Sequence, residues 1–265
     1  MIDRIAYLFG QTAWPMEMQA PGSAFHLLLS LAGIACAVSA AMFLAGRKNL
    51  RPENVLFSCG LLLAFFELYK QGFLYFVVNG RCYNWWYFPF QLCSIPMYVC
   101  LLLPWVRSRR LRQILTAFLV DFGMLGGVFA FFDTSGMHYG YLPLTIHSFA
   151  WHIFLILLGI AAALSDRLAV GWKNYAGSAC LYLACCLVAT GINLLCDQYG
   201  TINMFYINPD YPMTQKVFSE IAAVLGDTAG IFIYIGATVA GAAVFHLGWR
   251  SFVLKSIENP NHSVL

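Results

Sequence analysis

Three side chains that can carry out nucleophilic chemistry lie within long apolar segments of this chain. They are a cysteine, Cys93, and two histidines, His147 and His152. A thiol attacks as the thiolate, and it needs an adjacent base or cation to lose its proton. This combination points to a Cys–His pair with Cys93 as the nucleophile. Because five residues turn a helix through about 140° net, we expect only one of the two histidines to face the site.

Further polar side chains accompany these three, and each is a candidate because ionisable groups within a membrane are costly and usually functional. They are Glu67, Lys70, Gln91, Ser94 and Asp121. Glu67 and Lys70 stand three residues apart, so they either neutralise each other as a structural ion pair or act directly in the site. For Asp121 we favour structural support, in a polar network with Lys70 or a histidine.

The composition places these residues in a membrane. Of the 265 residues, 60% are hydrophobic and 10% are charged, whereas a soluble domain carries about 25% charged residues. This excludes a soluble enzyme, a nucleic-acid-binding protein and a disordered segment, and the net charge of +3 is too small to indicate a polyanionic partner. We predict an all-α integral membrane protein whose partners are membrane lipids, and a homodimer is left open.

Seven segments are apolar and long enough for a helix of about 20 residues to cross a hydrocarbon core of about 30 Å. They are residues 24–46, 54–78, 85–106, 112–132, 142–164, 171–196 and 229–249. We interpret residues 1–265 as a single domain of seven transmembrane helices. Cys93 then lies in the third span, and both histidines lie in the fifth.

Basic residues in the short loops indicate the orientation, because Lys and Arg accumulate on the cytoplasmic side. Alternate loops carry Arg47, Lys48 and Arg51, then Arg107, Arg109, Arg110 and Arg112, then Arg167 and Lys173, then Arg250 and Lys255. The intervening loops are rich in acidic residues instead. We therefore predict that the N-terminus is outside and the C-terminus is cytoplasmic.

In this orientation the polar residues of the spans share one layer between the outer rim and the midplane. At about 1.5 Å per residue they lie about 8 to 16 Å below the outer end. The layer comprises Glu67, Lys70, Cys93, Asp121, His147 and His152. It predicts a polar cavity that opens toward the outer leaflet. His246 is excluded from this layer, because it lies near the cytoplasmic end of the last span, where we expect it to reach water.

The nine cysteines show no CxxC pattern and no Cys/His spacing typical of a metal site, so neither a metal nor another cofactor is expected. Cys82 and Cys196 both fall at the outer rim. A disulfide between them is conceivable if that compartment is oxidising.

Three stretches resemble a known family. Residues 88–95, FPFQLCSI, resemble the Leu-Pro-Leu-His-Leu-Cys signature of the YwaF-type bacterial integral membrane proteins, and residues 146–152, IHSFAWH, resemble that family's histidine-bearing span. Residues 193–195, 202–205 and 230–235 are similar to its Asn-Tyr-Met-Phe-Leu segment and to its last span, which opens with Gly and Tyr. The order and spacing agree over most of the chain.

The relatives of this family include animal transmembrane protein 164, which is understood as an acyltransferase that remodels ether phospholipids through a cysteine and a histidine. The resemblance implies a phospholipid acyltransferase in a bacterial cytoplasmic membrane, with Cys93 as nucleophile and His147 or His152 as base. Asn203 would be a supporting polar residue. Gln91 stands where the family usually has a histidine, and a glutamine donates a hydrogen bond but cannot take a proton.

The remaining residues receive roles from the same hypothesis. Gln91, Ser94 or Asn203 would donate hydrogen bonds to the tetrahedral oxyanion. Glu67, Lys70 and Asp121 would orient the histidine and line the head-group pocket. Whether a lysolipid or water accepts the acyl group stays open at this point, and with water the protein would be a lipase.

The alternative is a non-catalytic seven-helix transporter or a receptor for a small molecule or lipid that uses the same polar layer for binding. The two halves of the chain show no convincing internal repeat and no pair of Gly/Pro-broken helices, which argues against a transporter. Selective labelling of Cys93 by a lipid-like electrophile would distinguish the acyltransferase from both.

Overall fold

The computed structural model describes residues 2–47 and 50–258, and this part of the chain is helical. Lys48, one of the residues that set the predicted orientation, lies outside it. The α-helices are α1 (Ile2–Gly10), α2 (Ala24–Ala45), α3 (Pro52–Phe73), α4 (Ile95–Leu102), α5 (Arg109–Phe118), α6 (Met124–Phe129), α7 (Leu142–Ser165), α8 (Trp172–Cys196), α9 (Phe218–Leu225) and α10 (Asp227–Glu258).

Six of the predicted spans are confirmed as apolar helices long enough to cross a membrane. A π-helical turn, Leu74–Val78, extends α3, and another, Leu119–Gly123, joins α5 to α6. With these turns the six are Ala24–Leu44, Pro52–Val78, Arg109–Phe129, Leu142–Ser165, Trp172–Tyr199 and Asp227–Lys255. The chain is therefore a membrane protein with a bundle of apolar helices.

The third predicted span, residues 85–106, is wrong as a continuous helix. A 3-10 turn at Trp85–Tyr87 is followed by irregular backbone, and the apolar helix extends only over Leu92–Trp105. Pro89 accounts for the break, because the residue before a proline is driven out of the α region, and Phe88 indeed adopts φ −54° and ψ 133°. A helix from Leu92 to Trp105 spans roughly 21 Å, short of the roughly 30 Å core.

Two ion pairs define the ends of the bundle. Arg112 Nη1 lies 3.1 Å from Glu53 Oε1, so α3 and α5 begin at the same end. At the other end, beyond α6, Lys216 Nζ lies 3.1 Å from Asp133 Oδ1. The segment between α3 and α5 must therefore return along the length of the bundle, although its helix is short.

The contact between α3 and the returning helix α4 depends on Gly60. A Cβ atom at this position would lie 2.9 Å from Cys100 Cβ and 3.1 Å from the backbone nitrogen of Leu101. Such distances are too short for a side chain, so the glycine lets the two backbones approach closely. This packing fixes α4, and with it the turn that carries Cys93.

Candidate functional site

Cys93 lies in the 3-10 turn Leu92–Ser94 that opens the short helix. Its backbone carbonyl accepts a hydrogen bond of 3.0 Å from Nε1 of Trp151 on α7. Trp151 is itself buried. The indole therefore ties the backbone of the cysteine to the helix that carries both histidines, a contact for which the sequence gives no direct signal.

His147 lies one helical turn before Trp151, and the two rings are stacked with centroids 5.5 Å apart. Its ring also interacts with the backbone of Phe66 on α3. Nε2 of His147 is buried and has no hydrogen-bond partner within the described chain. An unpaired imidazole nitrogen thus lies beside the residue that touches Cys93.

His152 is held differently. Its Nδ1 lies 2.8 Å from the carbonyl oxygen of Ser148, one turn earlier on α7. A carbonyl oxygen only accepts, so Nδ1 carries the proton and Nε2 is left with its lone pair. His152 is therefore also in a tautomer that can act as a base.

Glu67 and Lys70 form the predicted ion pair, with 2.8 Å between Lys70 Nζ and Glu67 Oε2. Gln71 Nε2 donates to Glu67 Oε1 at 2.7 Å and to the carbonyl of Tyr87 at 2.6 Å. Lys70 is also close enough to Cys93 for a direct electrostatic interaction. The pair thus neutralises itself, and near the thiol the Lys70 cation, which favours the thiolate, is opposed by the Glu67 carboxylate, which disfavours it.

The charge of Lys70 also acts on side chains of α7. Lys70 interacts electrostatically with both His147 and His152. Lys70 therefore lies within electrostatic range of the cysteine and of both histidines that the sequence singles out.

Gln91 binds a loop rather than an open cavity. Its Nε2 donates to the carbonyl of Asn203 at 2.9 Å, and its Oε1 accepts from the backbone N–H of Phe205 at 2.7 Å. Asn203 Oδ1 in turn accepts from the N–H of Asn208 at 2.9 Å. Gln91 and Asn203 are therefore engaged with each other and with the backbone, and both hold the loop in place.

This loop, residues 202–208, is folded into the bundle. Phe205 and Tyr206 adopt φ values of 58° and 59°, a left-handed conformation that is unfavourable for bulky side chains. Asn193 on α8 clamps the turn, accepting from the N–H of Met204 at 2.6 Å and donating to its carbonyl at 3.1 Å. The sequence predicts an outer loop here, and only the fold brings it against Gln91.

Asp121 does not face the α7 histidines. Its carboxylate accepts a 2.7 Å hydrogen bond from Ser178 Oγ, and its other oxygen lies 3.0 Å from His246 Nδ1. His246 Nε2 lies 3.1 Å from the carbonyl of Val170, which it donates to. The expectation that His246 reaches water is wrong, because it is 0% exposed. Asp121 thus belongs to a separate buried network.

A cavity of about 470 Å³ opens at the end of the bundle where α3 ends, the predicted outer rim, beside the irregular segment that leads to Cys93. Aromatic and amide side chains line it, among them Asn79, Tyr83, Asn84, Trp85 and Trp86. Cys93 and the histidines are not among its lining residues.

The cysteines are free, Cys82 and Cys196 included. Within the described residues no group of three or more His, Cys, Asp or Glu side chains could hold a metal ion.

The model of the TMEM164 family matches residues 22–248, which contain every residue of the site. No curated protein and no solved structure matches the chain.

Proposed function

Because the chain belongs to the TMEM164 family, we propose that it is a membrane acyltransferase that moves a fatty acyl group from a phospholipid to a lysophospholipid through a thioester on Cys93. The finer relation to the YwaF-type proteins, and a bacterial cytoplasmic membrane as the location, stay predictions.

One observation carries the proposal: the 3.0 Å hydrogen bond from Trp151 to the carbonyl of Cys93. It joins the backbone of Cys93 to α7 at Trp151, which follows His147 by four residues and precedes His152 by one. His147 is the favoured base, since its ring stacks on Trp151 and its Nε2 has no other partner in the described chain. His152 is the second candidate, with its proton held on Nδ1 by the Ser148 carbonyl.

The reaction would proceed in two balanced steps. In the first, the thiol proton of Cys93 passes to the imidazole, and the thiolate attacks the ester carbonyl of the donor lipid. The carbon–oxygen bond breaks, the lysolipid alkoxide takes the proton back from the imidazolium, and a thioester remains. In the second, the acceptor hydroxyl gives its proton to the same imidazole and attacks the thioester, and the returning thiolate is reprotonated.

Other side chains would support this chemistry. Lys70, held by Glu67 at 2.8 Å, would stabilise the thiolate and the oxyanion electrostatically. Ser94, next to the nucleophile, is the proposed donor to the oxyanion. Gln91 and Asn203 are assigned to positioning, because their hydrogen bonds go to the loop that packs on the site.

The chain would cross the membrane seven times. We propose that residues 79–108 complete a crossing with the short helix Leu92–Trp105 and the irregular segment before it, because Arg112 and Glu53 bring the starts of α3 and α5 to one end. The basic loops then place that end in the cytoplasm and the N-terminus outside. Irregular backbone at membrane depth is tolerated only where protein or water covers it.

The test uses the full chain in liposomes with a phospholipid labelled in its acyl group and a lysophospholipid acceptor. Cys93→Ala should abolish transfer and the hydroxylamine-sensitive label on the protein, whereas Cys196→Ala, another partly buried free cysteine, should leave both unchanged. Full activity in Cys93→Ala would refute the nucleophile. Release of free fatty acid without transfer would instead indicate a lipase.

Two further variants identify the base. His147→Gln and His152→Gln should differ, with the larger loss of transfer and the larger change in the pH–rate profile at the residue that accepts the thiol proton. If neither variant reduces transfer, the Cys–His mechanism fails.

A further inference from the structure

A second cavity, of about 350 Å³, lies at the opposite end of the bundle from the outer-rim cavity. It is built where α3 and α5 begin and α7 ends. Three arginines line it, Arg107, Arg109 and Arg112. The positive-inside pattern assigns this end to the cytoplasm.

The charges of this cavity are unequal. Of the two lining acids, Glu53 is already paired with Arg112, and Asp166 is the other. Arg107 and Arg109 form no ion pair within the described chain. The cavity therefore presents an excess of guanidinium groups, whose planar N–H groups suit phosphate oxygens.

Arg112 is a prearranged donor. Its Nη1 donates to Glu53 at 3.1 Å and its Nη2 to the carbonyl of Val106 at 2.9 Å, so the side chain is held in one position. Its Nε is buried and has no hydrogen-bond partner within the described residues. The side chain as a whole is 39% exposed, so the remaining N–H groups of its Nη atoms are available to an anion in the cavity.

The position of the cavity identifies the source of the anion. Trp105 precedes the lining residue Arg107 by two positions. It is 67% exposed and packs edge-on against Phe57, with ring centroids 5.3 Å apart. Exposed tryptophans are typical of the lipid head-group level. Leu56 and Leu103, both buried, form the apolar part of the lining. A ligand with a phosphate and an apolar portion fits this combination.

We propose that this cavity binds the phosphodiester head group of an anionic phospholipid of the cytoplasmic leaflet, separately from the Cys93 site. The arginines would contact the phosphate oxygens, and the glycerol and proximal acyl carbons would lie against Pro52, an exposed residue of the lining. The proposal does not depend on acyl transfer.

The test is a calorimetric titration of the full chain, in a neutral detergent at about 0.15 M salt, where the Debye length is about 8 Å, with dihexanoylphosphatidylglycerol. Arg107→Gln combined with Arg109→Gln should weaken binding by about tenfold or more, because two charge-assisted hydrogen-bond donors are lost. The matched control combines Arg110→Gln with Lys173→Gln, which removes the same charge from exposed residues at the same end that do not line the cavity. The control should bind within about twofold of the unmodified chain, since distant surface charges are screened.

Each other outcome overturns the proposal. Unchanged affinity in the first double variant excludes the arginines, and equal losses in both double variants indicate general surface charge. If inorganic phosphate displaces the lipid at the concentration at which it binds alone, the ligand is free phosphate and not a lipid. Matching thermal unfolding of all variants shows that the comparison is made on folded protein.

Discussion

The two hydrogen bonds of Gln91 lead to the sharpest prediction. The change is Gln91→Leu, which keeps a similar side-chain volume but can neither donate nor accept. It leaves the carbonyl of Asn203 and the N–H of Phe205 without their present partner, the bonds being 2.9 and 2.7 Å long. Both residues are almost fully buried, at 1% and 2% exposure, so water cannot replace the glutamine without opening the loop.

The magnitude follows from these two groups. A buried polar group left unsatisfied costs about 1–3 kcal/mol, so the pair should destabilise the closed loop by about 2–6 kcal/mol. The lower bound alone corresponds to about a 30-fold increase in the opening equilibrium, because about 1.4 kcal/mol is a factor of ten. Phe205 and Tyr206 adopt left-handed φ values. This strain adds to the tendency of the loop to open once the Gln91 hydrogen bonds no longer restrain it.

The assay is hydrogen–deuterium exchange of the backbone amides of residues 202–208 in the full chain. Exchange should accelerate by about 30-fold or more in Gln91→Leu. The control is Gln198→Leu, because Gln198 makes a single exposed bond of 3.1 Å to the carbonyl of Leu195. Unchanged exchange in Gln91→Leu, or the same acceleration in the control, would refute the role assigned to Gln91.

Three further predictions concern stability, measured as thermal or denaturant unfolding in detergent. Gly60→Ala should destabilise the bundle by about 1–3 kcal/mol through overpacking, because the new methyl group meets α4. Asp121→Leu should cost about 3–5 kcal/mol, because it leaves His246 buried without its carboxylate partner. Burial, and then the nearby charge of His26, lower the pKa of His138 below 6.5. The folded state therefore disfavours the protonated form, and stability should fall as the pH drops below about 6.5, the unfolded-state value.

Each of the three has a control. Gly126→Ala places its methyl group in open space and should be neutral or slightly stabilising, so equal effects of the two glycine changes would contradict the packing argument. A second change, His246→Leu, in the Asp121→Leu background should restore part of the loss, since an apolar replacement of a buried pair is often tolerated. His138→Gln should reduce the acid sensitivity, and an unaltered pH profile would exclude His138 as its source.

The fold could be predicted where composition alone decides it. A long run of apolar residues has no other place than a membrane or a core, and inside a membrane the backbone must satisfy its own hydrogen bonds. The six long helices follow from this rule. It failed at residues 85–106 because hydropathy counts apolar side chains, whereas Pro89 acts on the backbone. The Gln91 amide then ties this irregular segment to a loop more than 100 residues away.

In the candidate site, too, the sequence determined some features and the tertiary structure decided others. The sequence by itself determined which residues could do chemistry, because Cys93, His147, His152, Glu67 and Lys70 stand out against an apolar background. Side-chain partners are a property of three-dimensional proximity, which depth along a helix does not contain. Only the tertiary structure decided that Trp151 holds the Cys93 backbone against α7 and that Asp121 turns away toward a histidine of the last helix. Helix rotation and packing set these contacts, and neither leaves a periodic signal in the chain.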